Sequence, residues 1–283
     1  MSLQYPYWLS ALIGTREVAD LYKLIGRSSE VFNYTFPKKI PNYNNISGDS
    51  KGFSQLTEEQ QVNFITALSY ISTITAIRFE YSADPYRPNT LAIAINNQSE
   101  KNSLGYAYTP ETNFIGGDIF ISNHPSNETL SEGTEGALTL VHELGHALGL
   151  KHPHEEAEGI GPISVLPSEE DTVANTVMSY EETTLENFKF EFNHLDIAAL
   201  QYIYGPNPNI RASDDIYEIS PTQANFIWDG AGVDTIDASN LESGVTLHLT
   251  PGFHDFVGES AASIATAPGQ ITVNFGTTIE NVI

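Results

Sequence analysis

The stretch His-Glu-Leu-Gly-His-Ala-Leu-Gly-Leu-Lys-His-Pro, His142 to Pro153, limits what this chain can fold into more than any other. His142 and His146 stand four apart, so on a helix both side chains leave the same face, one turn apart. That is the geometry in which two imidazoles grip one metal ion. Glu143 adjoins the first histidine, so its carboxylate lies beside the metal and can take a proton from a water there. Gly149 tolerates the left-handed backbone that ends a helix and turns the chain sharply. The turn returns His152 as a third ligand and leaves one zinc position open for water and substrate.

Composition narrows the surroundings of this site. A chain of 283 residues with 40% hydrophobic content holds one large domain or a domain with an appendage. The net charge of −24, from 36 acidic and 12 basic residues, argues against nucleic acid as a partner. It favours cation binding, solubility, or life in salt. Cysteine is absent, which excludes disulfides, thiolate zinc ligands and a cysteine nucleophile. No apolar run of about eighteen residues occurs, so no membrane span is expected. The start, MSLQYPYWLS, lacks a basic region followed by an apolar one, so no signal peptide is visible.

Along the chain, residues 8–25 have apolar residues at helical spacing, and VFNYTFP (Val31 to Pro37) reads as a first strand. Thr57 with Gln60 forms a capping box that opens a long helix. Its stripe of Val62, Phe64, Ile65, Leu68, Ile71 and Ile74 is expected to face a sheet. Ile77 to Tyr81, Thr90 to Ile95, Ser103 to Thr109 and Gly117 to Asn123 read as further strands. The last of these precedes the zinc helix, where an edge strand can pair its backbone with an extended substrate. Thr134 is expected to cap the zinc helix, with Glu135 in its first turn. Ala137, Leu138, Val141, Leu144 and Leu148 then bury one flank. Phe192 to Gly205 reads as an amphipathic helix stopped by Gly205 and Pro206.

The zinc stretch resembles the signature of the metzincins, in which a methionine turn lies beneath three zinc histidines. Met178, in NTVMSY (Asn175 to Tyr180), matches that methionine. Tyr180 resembles the tyrosine that serralysins and astacins place beside the zinc, where its phenol hydrogen-bonds the oxyanion. Met-Ser-Tyr after this pattern looks like a serralysin and not like a matrixin. The resemblance covers most of Tyr34 to Ile283 and is strongest from Thr134 to Asp237. It implies an α+β fold: residues 1–206 as a metzincin-like catalytic domain with a twisted, mostly parallel sheet, and residues 207–283 as a small all-β calcium-binding module. It further implies a secreted zinc endopeptidase acting on protein or peptide substrates bound as an extended strand. A monomer is expected.

The C-terminal stretch supports an all-β reading, with short runs such as IYEI, NFIWD, VTLHLT and ITVNF between turns. Carboxylates concentrate in those turns, and oxygen ligands select calcium. Carried over from the serralysin resemblance, one calcium takes carbonyls of Arg211, Ser213 and Ala231 with Asp215, Asp229 and Asp234. A second takes Gly232, Asp234, Thr278 and Glu280. Ser213 and Ala231 stand where the family has glycine. No G-G-x-G-x-D repeat occurs anywhere, a departure from serralysins, and the family's C-terminal export signal is missing as well. Two rival readings are a calcium-independent metzincin of another family and a catalytically silent zinc- and calcium-binding module.

Overall fold

The computed structural model describes residues 5–14, 31–46, 48–87, 89–98, 102–156, 165–181 and 187–283. In order it contains α1 (Tyr7–Leu12), β1 (Val31–Thr35), α2 (Glu58–Ile74), β2 (Arg78–Tyr81), β3 (Thr90–Asn96), β4 (Gly105–Ala107) and β5 (Ile119–Ser122). A 3-10 turn at Pro125–Asn127 leads to α3 (Glu135–Ala147) and then α4 (His194–Tyr204). Among the described residues only strands follow: β6 (Ile216–Glu218), β7 (Asn225–Ile227), β8 (Thr235–Asp237), β9 (Val245–Thr246), β10 (Asp255–Val257), β11 (Gln270–Val273) and β12 (Asn281–Val282). No described helix is long and apolar enough to cross a membrane.

The first five strands form one sheet in the order β2-β1-β3-β5-β4. All pairings are parallel except β4 with β5. This is a mixed α/β arrangement with a mostly parallel sheet, consistent with a metzincin catalytic domain. β3 is buried at every position, which matches its uninterrupted run of small and apolar residues. The capping box of α2 forms as the sequence predicts, with Gln60 N donating to Thr57 Oγ1 at 3.2 Å and Thr57 N to Gln60 Oε1 at 2.9 Å. The amide of Gln60 also donates to the carbonyls of Asn127 and Glu128, tying α2 to the turn before α3.

Three expectations need correction. Val62 and Ile65 do not face the sheet; they are 61% and 38% exposed. They lie about 160° and 100° around the helix from Phe64, and Ala67 completes the buried face with Phe64, Leu68, Ile71 and Ile74. Thr134 holds the N-cap position of α3, but its hydroxyl donates back to Ser131 O at 2.6 Å and caps nothing. The sheet edge is β4, not β5, which is buried between β3 and β4. The antiparallel return of residues 108–118 lays β4 outside β5. Tyr106 and Tyr108 fix it there by donating to the buried carboxylate of Asp49 at 2.6 and 2.9 Å.

The described part of the N-terminal helix is α1, and residues 15–25 of the expected helix lie outside the described residues. α1 joins three regions. Leu12 O accepts Lys151 N at 2.8 Å, one residue before His152. Tyr7 donates to Glu170, whose other oxygen accepts from Thr266 N and Oγ1. Trp8 sits edge-on to Phe226 at 6.4 Å. One apolar core therefore runs from α1 through α3 and α4 to Trp228 and Ala265. The later strands form a four-stranded sheet, β7-β11-β10-β9, and a three-stranded sheet, β12-β8-β6. Between them lies a smaller core of Ile219, Ile227, Ile236, Ile271, Val273 and Ile279.

His194, at the start of α4, packs its ring 4.7 Å from Phe226 and leaves Nε2 buried without a partner. Burial pushes its pKa down to about 4. The unfolded chain takes up this proton near pH 6.5, so His194 destabilises the fold progressively as pH falls from about 6.5 to 4. Denaturant melts of His194→Phe and the parent should diverge below pH 6, the parent losing up to about 1.4 kcal/mol more per pH unit. Parallel pH profiles would contradict this.

Candidate active site

α3 carries His142, Glu143 and His146 to the wall shared by two neighbouring cavities. Gly149 takes φ +101°, and the turn there brings His152 back against the helix, as its spacing predicts. The three imidazoles converge. His152 Nε2 lies 2.9 Å from His146 Nε2 and 3.2 Å from His142 Nε2. On the far side of each ring an acceptor engages Nδ1: Val177 O at 2.8 Å for His142, Leu150 O at 2.9 Å for His146, and Glu155 Oε1 at 2.7 Å for His152. A carbonyl or carboxylate accepts only from N–H, so each Nδ1 carries the proton and each Nε2 presents a bare lone pair. Three lone pairs at these separations repel unless a cation lies among them.

Electrostatics agree. Burial, then the charge of His146, pushes His142 down to about 3. Burial, then the charge of His152, pushes His146 down to about 4. His152 is lowered as well, first by burial. Three neutral nitrogen donors with engaged outer nitrogens and no sulfur fit zinc.

Glu143 is 5% exposed, and burial pushes its carboxyl up to about 8. Its Oε2 has no hydrogen-bond partner. Gly105 of β4 lies directly against it: a Cβ there would stand 2.7 Å from Glu143 Cγ and 2.8 Å from Oε1. The edge strand thus runs past the carboxylate at a distance only glycine permits. Tyr180 is 64% exposed, with its ring 4.2 Å from that of His152 and 5.7 Å from that of His142. Met178 is fully buried beneath α3, so close that a Cβ on Gly145 would stand 2.5 Å from its sulfur. His154 stacks on His152 at 5.3 Å and faces Asp171 at 3.7 Å, outside the converging set.

Sequence reasoning missed several supporting residues. Asp196, buried in the first turn of α4, accepts from Val177 N at 2.8 Å, Asn193 N at 3.0 Å and Thr176 Oγ1 at 2.5 Å. Burial pushes its carboxyl up to about 7, against those three donors. Asp196 holds the Val177 peptide whose carbonyl orients His142. An Asn-x-x-Asp capping signal was visible at 193–196, but its reach to Thr176 was not. Gly105 was signalled as a glycine inside a strand pattern. Glu155 had no distinguishing spacing.

In the C-terminal strands, carboxylate oxygens of Asp215, Asp229 and Asp234 lie within 4.8 Å of one another. Asp229 and Asp234 are buried. Arg211 has φ +52°, and its carbonyl faces the amides of Gly230 and Ala231. The backbones at Ser213 and Gly232 approach so closely that a Cβ on Gly232 would stand 2.2 Å from Ser213 O. Glu280 Oε2 accepts from Asp234 N at 2.7 Å, and Thr278 is exposed in the same turn.

The chain matches the family model described as Matrixin, a peptidase family, over residues 30–175. A serralysin of Proteus mirabilis is 30% identical over 92% of this chain and 58% of its own length. Metallopeptidase AprA of Pseudomonas marginalis is 28% identical over 81% of this chain and 53% of its own. Serralysin B of Dickeya chrysanthemi is 32% identical over 64% and 41%. The chain therefore belongs to the matrixin family of peptidases, as a serralysin-type metzincin. The chain spans about half the length of the curated relatives it matches.

Removing the Asp196 carboxylate leaves three buried donors without an acceptor and frees the Val177 carbonyl to shift. Asp196→Ala should weaken zinc binding by about 10- to 100-fold, measured by competition with a chromogenic chelator. A folded variant with unchanged zinc affinity would refute the positioning role.

Proposed function

We propose that the chain is a zinc-dependent endopeptidase hydrolysing peptide bonds of protein substrates. One observation carries this: three bare imidazole nitrogens facing one another beside a buried carboxylate with an unpartnered oxygen. His142, His146 and His152 would hold a zinc ion, which would supply Lewis acidity toward the scissile carbonyl and toward an attacking water. Glu143 accepts that water's proton and passes it to the leaving amine, and the burial that raises its pKa suits a group serving as base and then acid. Tyr180, beside His142 and His152, donates to the oxyanion that develops on the substrate carbonyl. The open edge of β4, passing Glu143 at Gly105, offers backbone groups to an extended substrate. The peptidase relatives and the family match support the same reading.

In this reading residues 1–206 form the catalytic domain and residues 207–283 a β-rich module stabilised by calcium. Asp215, Asp229 and Asp234, with carbonyls of Arg211, Ser213 and Ala231, would hold one ion, and the convergence of the three aspartate carboxylates supports this assignment. Gly232, Asp234, Thr278 and Glu280 take a second. Buried carboxylates in contact repel unless a cation offsets them. The enzyme acts as an exported monomer, a reading that rests on the likeness to serralysins.

Glu143→Ala should retain stoichiometric zinc by metal analysis while losing about 10²-fold or more of casein cleavage. Cleavage at the parent rate by that variant would sink the assignment of roles. Calcium at millimolar concentration should raise the melting temperature of the parent by more than that of Asp229→Asn, which lacks a ligand of the first ion only. An equal rise in both would remove the calcium assignment.

A further inference from the structure

Two cavities flank Glu143. The one on the His146 side, about 270 Å³, is lined by Thr109, Lys151 and Glu155 among others. The one on the His142 side, about 380 Å³, runs back along α3 toward its N-terminus. Its floor is a single helix face of Glu135, Leu138, Thr139, His142 and Glu143, spaced as 0, 3, 4, 7 and 8. It opens into a further cavity of about 430 Å³ that shares Glu135, Leu138 and Tyr180 and adds Phe188 and Glu181. Among the described residues, no lysine or arginine lines either cavity.

Glu135 is exposed at the first position of α3, and among the described residues no group engages its carboxylate. Glu135 stands seven residues before His142, about 10 Å along the helix axis. We propose that Glu135 makes the cleft select peptides bearing lysine or arginine at the position whose side chain fills the cavity beside His142. This rests on the peptidase reading above.

A side chain entering at His142 reaches Glu135 only if it is long. The stem of lysine or arginine lies along Leu138 and Val177 while its cation meets the carboxylate. A leucine or phenylalanine covers the same wall but strips water from Glu135 without giving it a partner. A glutamate meets a like charge, with Glu181 beyond it and a net chain charge of −24 behind it.

The test is cleavage of a peptide library by the zinc-loaded full chain, with products read by mass spectrometry. One position adjoining the scissile bond should favour lysine and arginine over leucine. Glu135→Gln should lower that ratio about three- to fivefold, Glu135→Gln with Glu181→Gln should lower it further, and Glu135→Lys should invert it. Glu218→Gln, an exposed acid on β6, should leave the ratio unchanged. Raising salt from about 0.05 to 0.5 M should lower the wild-type ratio without any substitution. Binding of fluorescent lysine and leucine peptides to the Glu143→Ala chain should show the same preference where no cleavage occurs. Cleavage without a cationic preference, or a ratio that survives the double substitution, overturns the inference and leaves the peptidase reading standing. A zinc-loaded wild-type chain that cuts no library member overturns the peptidase reading and the inference together.

Discussion

Each histidine of the cluster is held by a hydrogen bond on the side away from the cluster, and the rest of the site depends on that. An imidazole free to rotate or change tautomer presents a lone pair or an N–H indifferently, whereas one pinned at Nδ1 presents only the lone pair. Three different parts of the chain supply the acceptors. Leu150 O comes from the turn that Gly149 makes, Val177 O from the segment before Met178, and Glu155 from the loop after His152. The histidine cluster is thus a point where three chain segments are fixed relative to one helix.

The larger architecture keeps those segments in register. α4 does so through Asp196, whose carboxylate gathers Thr176 and Val177. α1 does so from the other side, since Leu12 O holds Lys151 and Tyr7 holds Glu170. Because Trp8 packs between these contacts and the aromatic rings of Phe226 and Phe275, the C-terminal strands brace the catalytic region through α1. The sheet contributes a different element. Its edge strand is clamped by Tyr106 and Tyr108 on Asp49, and Gly105 brings that strand against Glu143. The histidine cluster, the Glu143 carboxylate and the edge strand therefore share one frame.

Local rules made the centre readable from sequence, because histidines four apart, a neighbouring glutamate and a glycine turn act within a few residues of one another. The same holds for the Thr57 and Gln60 capping box and for the stop at Gly205 and Pro206. What escaped was non-local. Which strand forms the edge is decided by the antiparallel return between β4 and β5, and residue pattern carries no trace of it. Val62 and Ile65 were misplaced because an apolar stripe was drawn wider than the face the sheet covers. Thr134 had a capping residue's identity, but its hydroxyl found a nearer carbonyl. Asp196 acts on a histidine 54 residues away in sequence, through contacts that only the folded chain creates, whereas Glu155 is only three residues from His152 but no spacing rule marks it.

The most direct measurement is zinc removal and restoration on one preparation, with zinc content and cleavage of a denatured protein followed together. Dialysis against a chelator should strip one zinc per chain and abolish cleavage, and one equivalent of zinc should restore both in proportion. Cleavage that persists in the zinc-free chain, or that fails to return when His142, His146 and His152 are reloaded, would contradict the account.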